Sequence, residues 1–274
     1  MYITSTTQRD WEAITAARIN GTPTLIVGDI GDNRGTWSDY RLWFIPEPLR
    51  PSPQASANPT ALLRFRYPEQ TPPKPQQSDQ SARQSTGNGS GKKDEKSNWS
   101  GGLDAESLAF DPRSQALLIL TKREKPARLF SLPLAARTLL TTHENISLNQ
   151  QIRQAPVATA QFIAQLPPLP APDFISWLLH PFISPYADQP TDMALSPDGS
   201  TLAVLTYSAL YFFYRPPGAD WRTALIAPSA SQALPFIDQW EGLSFSRDGK
   251  KILIVREGSG ENTLIQLPAP DLTP

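Results

Sequence analysis

Carboxylates recur at one place in this sequence. Glu12, Glu106, Asp192 and Glu241 each open a short apolar run, and Asp10, Asp104 and Gln239 stand two residues before three of them. Carboxylates gathered in one place repel one another unless a proton or a cation lies between them. Oxygen-only ligands on rigid strands suit a hard cation, calcium before magnesium. The alternative is structural, each acid capping backbone N–H groups of a neighbouring strand. A second dense cluster is Gly28-Asp29-Ile30-Gly31-Asp32-Asn33-Arg34. Its glycines permit a tight turn, and Asp29, Asp32 and Asn33 present oxygens together. It lacks the closing glutamate of an EF-hand loop, which leaves a cation loop or a network of Asx turns. The candidate metal ligands are therefore Glu12, Asp29, Asp32, Asn33, Asp104, Glu106, Asp192 and Glu241, with calcium as the expected ion.

Other chemistries are poorly supplied. There is no cysteine, so disulfides, thiolate zinc sites and cysteine nucleophiles are excluded. His143 and His180 are the whole histidine complement, and they stand in loop-like or insertion segments, a poor basis for Ser-His-Asp catalysis. Net charge is −1, from 25 basic and 26 acidic residues, which argues against a nucleic-acid surface. No apolar run approaches the ~18 residues of a membrane-spanning helix. Three Asn-x-Ser triplets, at Asn88, Asn98 and Asn145, are what chance gives in a chain rich in Ser and Asn. The Gly87–Lys93 stretch brushes a phosphate-binding loop but has Thr86 where the first glycine belongs and Lys93 in place of the Ser/Thr that holds magnesium.

The elements that would position the acids repeat along the chain. Ala105–Pro112, Ala116–Thr121 and Arg128–Leu132 form one unit. Thr191–Gly199, Thr201–Thr206 and Leu210–Phe213 form a second, and Trp240–Gly249, Lys251–Arg256 and Thr263–Leu267 a third. A looser copy opens the chain with Trp11–Thr15, Thr24–Gly28 and Tyr40–Phe44. Each unit reads as short alternating strands whose first hairpin closes on Pro-Asp-Gly or Arg-Asp-Gly chemistry. Fourth strands are expected at Ala61–Tyr67 and Thr223–Ile226. Four antiparallel strands per repeat make an all-β, propeller-like architecture, with four blades visible in a single domain over 1–274. The first strand of each blade lines the central channel, so the recurring acids should gather at one channel mouth. Aligned on those acids, Lys122 and Arg256 occupy equivalent places after the second strands.

Two stretches interrupt the repeat. From 70 to 102 the apolar side chains are Ala82 and Trp99, too few to offset the entropy of ordering the segment, so a disordered insertion is expected. The 167–189 stretch is proline-rich but carries Phe174, Trp177 and Phe182; it predicts a packed insertion with a short helix over 173–180.

Asp10-Trp11-Glu12-Ala13-Ile14, Gly28-Asp29-Ile30-Gly31-Asp32-Asn33, Asp104-Ala105-Glu106-Ser107-Leu108, Ser196-Pro197-Asp198-Gly199, Thr206-Tyr207 and Glu257-Gly258 fall in one order. In this the chain resembles a family of bacterial β-propeller proteins, usually exported and without an assigned reaction, and more distantly the calcium-dependent phytase-like and esterase-like propellers. The resemblance implies a periplasmic or secreted protein, yet no signal peptide precedes Tyr2-Ile3-Thr4. It also implies one further blade before the Asp-Trp-Glu string, so an N-terminal blade is expected to be lacking. Leu205 stands where the family usually has an arginine.

Two functions follow. The first is a non-catalytic propeller that binds a small molecule or a protein at its acidic channel mouth, with calcium as a candidate cofactor. The second is a metal-dependent phosphoester or ester hydrolase, with Arg34, Lys122, Arg123 or Arg256 receiving the phosphate. With Tyr207 and Glu257, which stand in the motifs of the resemblance, these four make the candidate ligand-binding set.

Overall fold

The computed structural model describes residues 2–4, 6, 8–50, 52, 56–71, 101–141, 146–169, 186–235, 239–257 and 264–272. A short strand β1 (Tyr2–Ile3) precedes the first blade. That blade holds β2 (Trp11–Ile19), β3 (Thr22–Asp29), β4 (Tyr40–Pro46) and, past the two-residue β5 (Ser56–Ala57), β6 (Ala61–Arg66). The second blade runs through β7 (Ala105–Asp111), β8 (Ala116–Thr121) and β9 (Arg128–Pro133). An excursion through β10 (Thr138–Leu139), helix α1 (Leu148–Gln154) and β11 (Val157–Thr159) comes before its fourth strand, β12 (Gln161–Gln165). The third blade is β13 (Pro190–Leu195), β14 (Thr201–Thr206), β15 (Ala209–Tyr214), a one-turn helix α2 (Trp221–Ala224) and β16 (Ala230–Ala233). The fourth has three strands among the described residues, β17 (Gln239–Phe245), β18 (Lys251–Glu257) and β19 (Leu264–Pro268).

Within each sheet these successive strands pair antiparallel, and the four sheets are arranged as a four-bladed β-propeller. The inner strands β2, β7, β13 and β17 stand side by side in that order. No contact of comparable extent joins β17 to β2 among the described residues.

The hairpin turns follow the chemistry expected of them. Gly199 and Gly249 hold φ of 68° and 72°, a left-handed conformation that a Cβ disfavours. In each turn the aspartate before the glycine accepts from the serine two residues earlier: Ser196 Oγ to Asp198 at 2.5 Å and Ser246 Oγ to Asp248 at 2.6 Å. In the second blade Asp111 stands where these turns have their serine, and it is fully buried. It receives Arg215 through two hydrogen bonds of 2.8 and 2.9 Å, and the Trp221 indole N–H at 3.1 Å. The bond between second and third blades is thus a buried ion pair.

Apolar faces fill the spaces between blades. Ile26, Leu42, Phe44 and Leu63 of the first blade meet Leu108, Leu117, Ile119 and Phe130 of the second. Leu118, Leu120 and Leu129 meet Met193, Val204, Tyr211 and Phe213 of the third. Leu205, Leu210 and Phe212 meet Trp240, Leu243, Ile252 and Ile254 of the fourth. Each such side chain contributes roughly 1.5–3 kcal/mol on full burial. The other face of the first blade is also covered: Trp43, Ile45 and Leu62 lie under Ile152 of α1 and Ala155 just after it, with Ile3 and Ala57 of the β1–β5 ribbon against them.

Two expectations shift. Thr223–Ile226 is not a strand. Asp220 caps α2 there, accepting from Thr223 N at 2.9 Å, and β16 is the fourth strand. The 70–102 insertion is anchored at its ends. Gln70 is buried, accepts from Tyr67 N at 2.5 Å and donates to the Trp37 carbonyl at 2.6 Å, while Gly102 N donates to Gly35 O. Its interior, 72–100, and the short helix expected over 173–180 lie outside the described residues, as do His143 and His180.

Candidate functional site

Every inner strand carries a β-bulge near its start, and the bulge aims one side chain out of the ladder. In β2 the register shifts between Trp11 and Ala13, which puts Glu12 in the bulge. In β7 the bulged residue is Glu106, between Ala105 and Ser107. In β17 it is Glu241, between Trp240 and Gly242. Bulges re-aim side chains in this way and are frequent beside binding sites. In β13, however, the shift lies between Pro190 and Asp192, so the bulged residue is Thr191. Asp192 is one residue out of phase with the three glutamates, and one residue in a strand reverses the face. The sequence alignment that paired Asp192 with Glu106 is corrected accordingly.

The second strands end opposite those bulges. Thr121, Thr206 and Arg256 pair with Ala105, Pro190 and Trp240, so the next residues, Lys122, Tyr207 and Glu257, are the equivalent set. Lys122 corresponds to Glu257, and Arg256 corresponds to Thr121; the expected Lys122–Arg256 equivalence is one residue off. These six side chains are brought together. Lys122 Nζ donates to Glu106 Oε2 and lies 5.5 Å from the Tyr207 ring centroid. Tyr207 Oη donates to Glu241 Oε1 at 3.5 Å. Glu241 is hydrogen-bonded to Glu257, and Glu12 to Asp10. Gly31 makes room on the first-blade side, where a Cβ would stand 2.7 Å from both Asp10 Oδ2 and Glu12 Cγ.

This array is short of positive charge. Among the described residues, the five carboxyl groups of Asp10, Glu12, Glu106, Glu241 and Glu257 are served by the Lys122 ammonium, with the Arg123 guanidinium also acting on Glu106. Burial raises the Glu12 carboxyl to about 8, with help from the Asp10 hydrogen bond and the Glu106 charge. Burial also raises Glu241 to about 7, together with its bond to Glu257 and the charges of Glu257 and Glu106. Glu106 is raised by burial against the opposing pull of Lys122. Lys122 is raised in spite of burial, because Glu106 and Tyr207 favour its charged form. The result is two carboxyl–carboxylate pairs flanking a salt bridge, and each pair has a member that holds its proton near neutral pH.

The remaining candidates do other work. Asp29 is fully buried and accepts from Arg9 N, Arg9 Nε and Asp10 N at 3.1, 2.9 and 2.8 Å. Asp32 accepts from Thr36 N, Trp37 N and Tyr40 Oη at 3.1, 2.9 and 3.0 Å, closing the loop on itself. Asp104 accepts from Asp32 N at 3.0 Å and Arg123 Nε at 2.6 Å, and Arg123 also donates to Asn33 Oδ1. This cluster fastens the first blade to the second. Asp192 fastens the third to the fourth, accepting from Met193 N at 2.8 Å and Leu243 N at 2.7 Å. Arg34 is exposed on its loop, and Arg256 is half-buried at the end of β18. Among the described residues no three His, Cys, Asp or Glu side chains form a group ready to hold a metal ion. Asp10 joins the axial array although the sequence supplied it only as a companion acid; its spacing of two from Glu12 was the available signal.

No family model matches the chain, and no curated protein matches it. Solved structures similar to it include the hydrazine synthase of Kuenenia stuttgartiensis, 12% identical with a TM-score of 0.40, over 98% of this chain and 49% of that one. Another is the β-propeller domain of Cps50 (Swd1) from Myceliophteria thermophila, 10% identical with a TM-score of 0.40, over 94% and 60% respectively. A third is a functionally unknown protein from Desulfotomaculum acetoxidans, 12% identical with a TM-score of 0.35, over 97% and 59%. The chain spans about half to three fifths of these neighbours' lengths. They are distant neighbours, and no narrower family is assigned. Among the described residues no helix is long and apolar enough to cross a membrane.

Proposed function

We propose that the protein is a non-catalytic binding propeller whose axial face takes a cationic ligand, or a basic side chain of a partner. The observation that supports it is the pairing of Asp10 with Glu12 and of Glu241 with Glu257 on either side of the Lys122–Glu106 bridge. A carboxyl that holds its proton because it is buried beside a second carboxylate yields that proton to a better cation. Calcium is the inorganic form of this reading and an ammonium or guanidinium compound the organic form. The hydrolase reading is not adopted. Two of its four candidates for receiving phosphate, Lys122 and Arg123, are already paired with Glu106 and Asp104.

Isothermal titration with calcium chloride and, separately, with spermidine tests this in two buffers of different ionisation enthalpy. Binding near pH 7 is expected to release protons and to weaken at least tenfold in Glu12→Gln and in Glu241→Gln. Absence of heat and of any melting shift for both probes overturns the reading.

A further inference from the structure

A pocket of about 310 Å³ lies between the second and third blades, and none of its lining residues belongs to the axial array. Three stretches of chain bound it. Residues 124–127 link β8 to β9, residues 166–169 follow β12, and residues 188–190 lead into β13. Leu166 N donates to the Ala127 carbonyl at 2.9 Å and ties the first two together. The walls are apolar, and they are stiff because Pro126, Pro167, Pro168 and Pro190 supply much of them. The charges that line the pocket are already paired. Lys125 Nζ donates to both Asp188 oxygens at 2.8 and 2.9 Å, and Glu124 holds Arg128 at 2.7 Å. A charged ligand would lose hydration here and find no free counter-ion, so the pocket suits a neutral molecule.

One polar side chain in the lining is left over. Gln189 is only 7% exposed, yet its side-chain amide has no hydrogen-bond partner among the described residues. Protein does not seal the amide atoms either, and the space that Gln189 borders is the pocket. Buried polar groups are nearly always paired, so a bare amide in an apolar wall points to a partner that enters the pocket. A primary amide offers a C=O acceptor and an N–H donor side by side. Its complement is a second amide with both groups on one edge, as in a lactam or a primary carboxamide. A stiff apolar cavity of this size with one convergent polar group has the form of a small-molecule site. We propose that this pocket binds a small neutral molecule with an apolar body and an amide edge, held by paired hydrogen bonds to Gln189. The site is separate from the axial array and does not depend on the reading given to that array.

Titration of the full chain with ε-caprolactam tests the proposal, read by saturation-transfer NMR up to about 50 mM, the range in which so small a ligand binds. Saturable binding is expected. Cycloheptanone, the same ring without the N–H, should bind about fivefold more weakly or worse, because it leaves the Gln189 carbonyl unpaired. The opened, doubly charged ε-aminocaproate should show no saturation. Gln189→Leu should weaken caprolactam by about fivefold or more and leave cycloheptanone within about twofold. The same variant should melt no lower than the wild type, since it loses no bond to the protein. Leu169→Trp fills the pocket from a half-buried position and should weaken both ring compounds by about tenfold or more. Absence of saturable caprolactam binding overturns the proposal. So does equal binding of the lactam and the ketone, a Gln189→Leu chain that melts well below the wild type, or lactam binding that survives in folded Leu169→Trp.

Discussion

The Asp192 carboxylate of the third blade accepts the Leu243 amide of the fourth at 2.7 Å, and its other oxygen accepts Met193 N at 2.8 Å. Asp104 makes the corresponding bond to the Asp32 amide between second and first blades, at 3.0 Å. These carboxylates do for adjacent blades what a ladder bond does for adjacent strands. Burial raises the Asp192 carboxyl well above its ordinary value, while the two amides pull the other way. Asp192→Ala leaves both amides buried and unpaired, and urea unfolding should show a loss of about 2–4 kcal/mol.

Glu12 gives a pH dependence of definite sign. Its carboxyl is raised from 4.5 to about 8 in the folded protein. Between those values the folded state binds more protons than the unfolded state, so stability is full below about pH 4.5 and declines as pH rises through about 8. Glu12 is half-buried, and solvent screening holds the effect to the order of 1 kcal/mol. Glu12→Gln should flatten the decline, so that the variant melts above the wild type at pH 8.5 and with it at pH 4.5. A parallel loss at both values would place Glu12 outside the proton-sharing pair.

Lys122 should behave in the opposite sense. It is the ammonium that meets Glu106, whose carboxyl burial already raises. In Lys122→Gln that carboxylate faces Glu12 and Glu241 unpaired. The variant should lose about 1–3 kcal/mol at pH 8 and less at pH 5, because proton uptake by the Glu106 carboxyl, already favoured by burial, relieves the loss as the pH falls. Chemical denaturation at the two pH values reads the difference directly.

The Arg215–Asp111 pair is buried, bidentate and joined by the Trp221 indole. Arg215→Met strands a buried aspartate and should cost about 3–5 kcal/mol. Arg215→Lys should recover little, because a single ammonium cannot reproduce the guanidinium fork. Full stability in the lysine variant would show that charge alone suffices.

Gly242 tests the fit of the fourth blade. Gly242→Ala sets a methyl 2.2 Å from Val255 Cγ2 and should cost about 1–3 kcal/mol. Val255→Ala in the same chain should restore most of it, a coupling that a double-mutant cycle measures.

The repeat units and their turns were legible in the sequence because both are local. Alternating apolar residues and Ser-x-Asp-Gly corners determine a hairpin from within about ten residues, as Gly199 and Gly249 show in their positive φ. The same local signal failed at Thr223–Ile226. Its apolar residues are equally compatible with a strand, but the Asp220 cap and the burial of Trp221 and Leu225 made it a helical turn. Which acids face the axis was not local at all. Glu106 and Asp192 each open an apolar run, but the bulge falls on Glu106 in one blade and on Thr191 in the other. A one-residue register shift depends on where two strands settle against their neighbours, and it sends one carboxylate to Lys122 and the other into the seam between blades. Lys122 meets Glu106 within one blade, but bringing the Tyr207 ring of the third blade over Lys122 required two blades to close on each other. Sequence determined that this chain is a set of β blades edged with acids; packing between blades decided which of those acids share a proton and which tie the blades together.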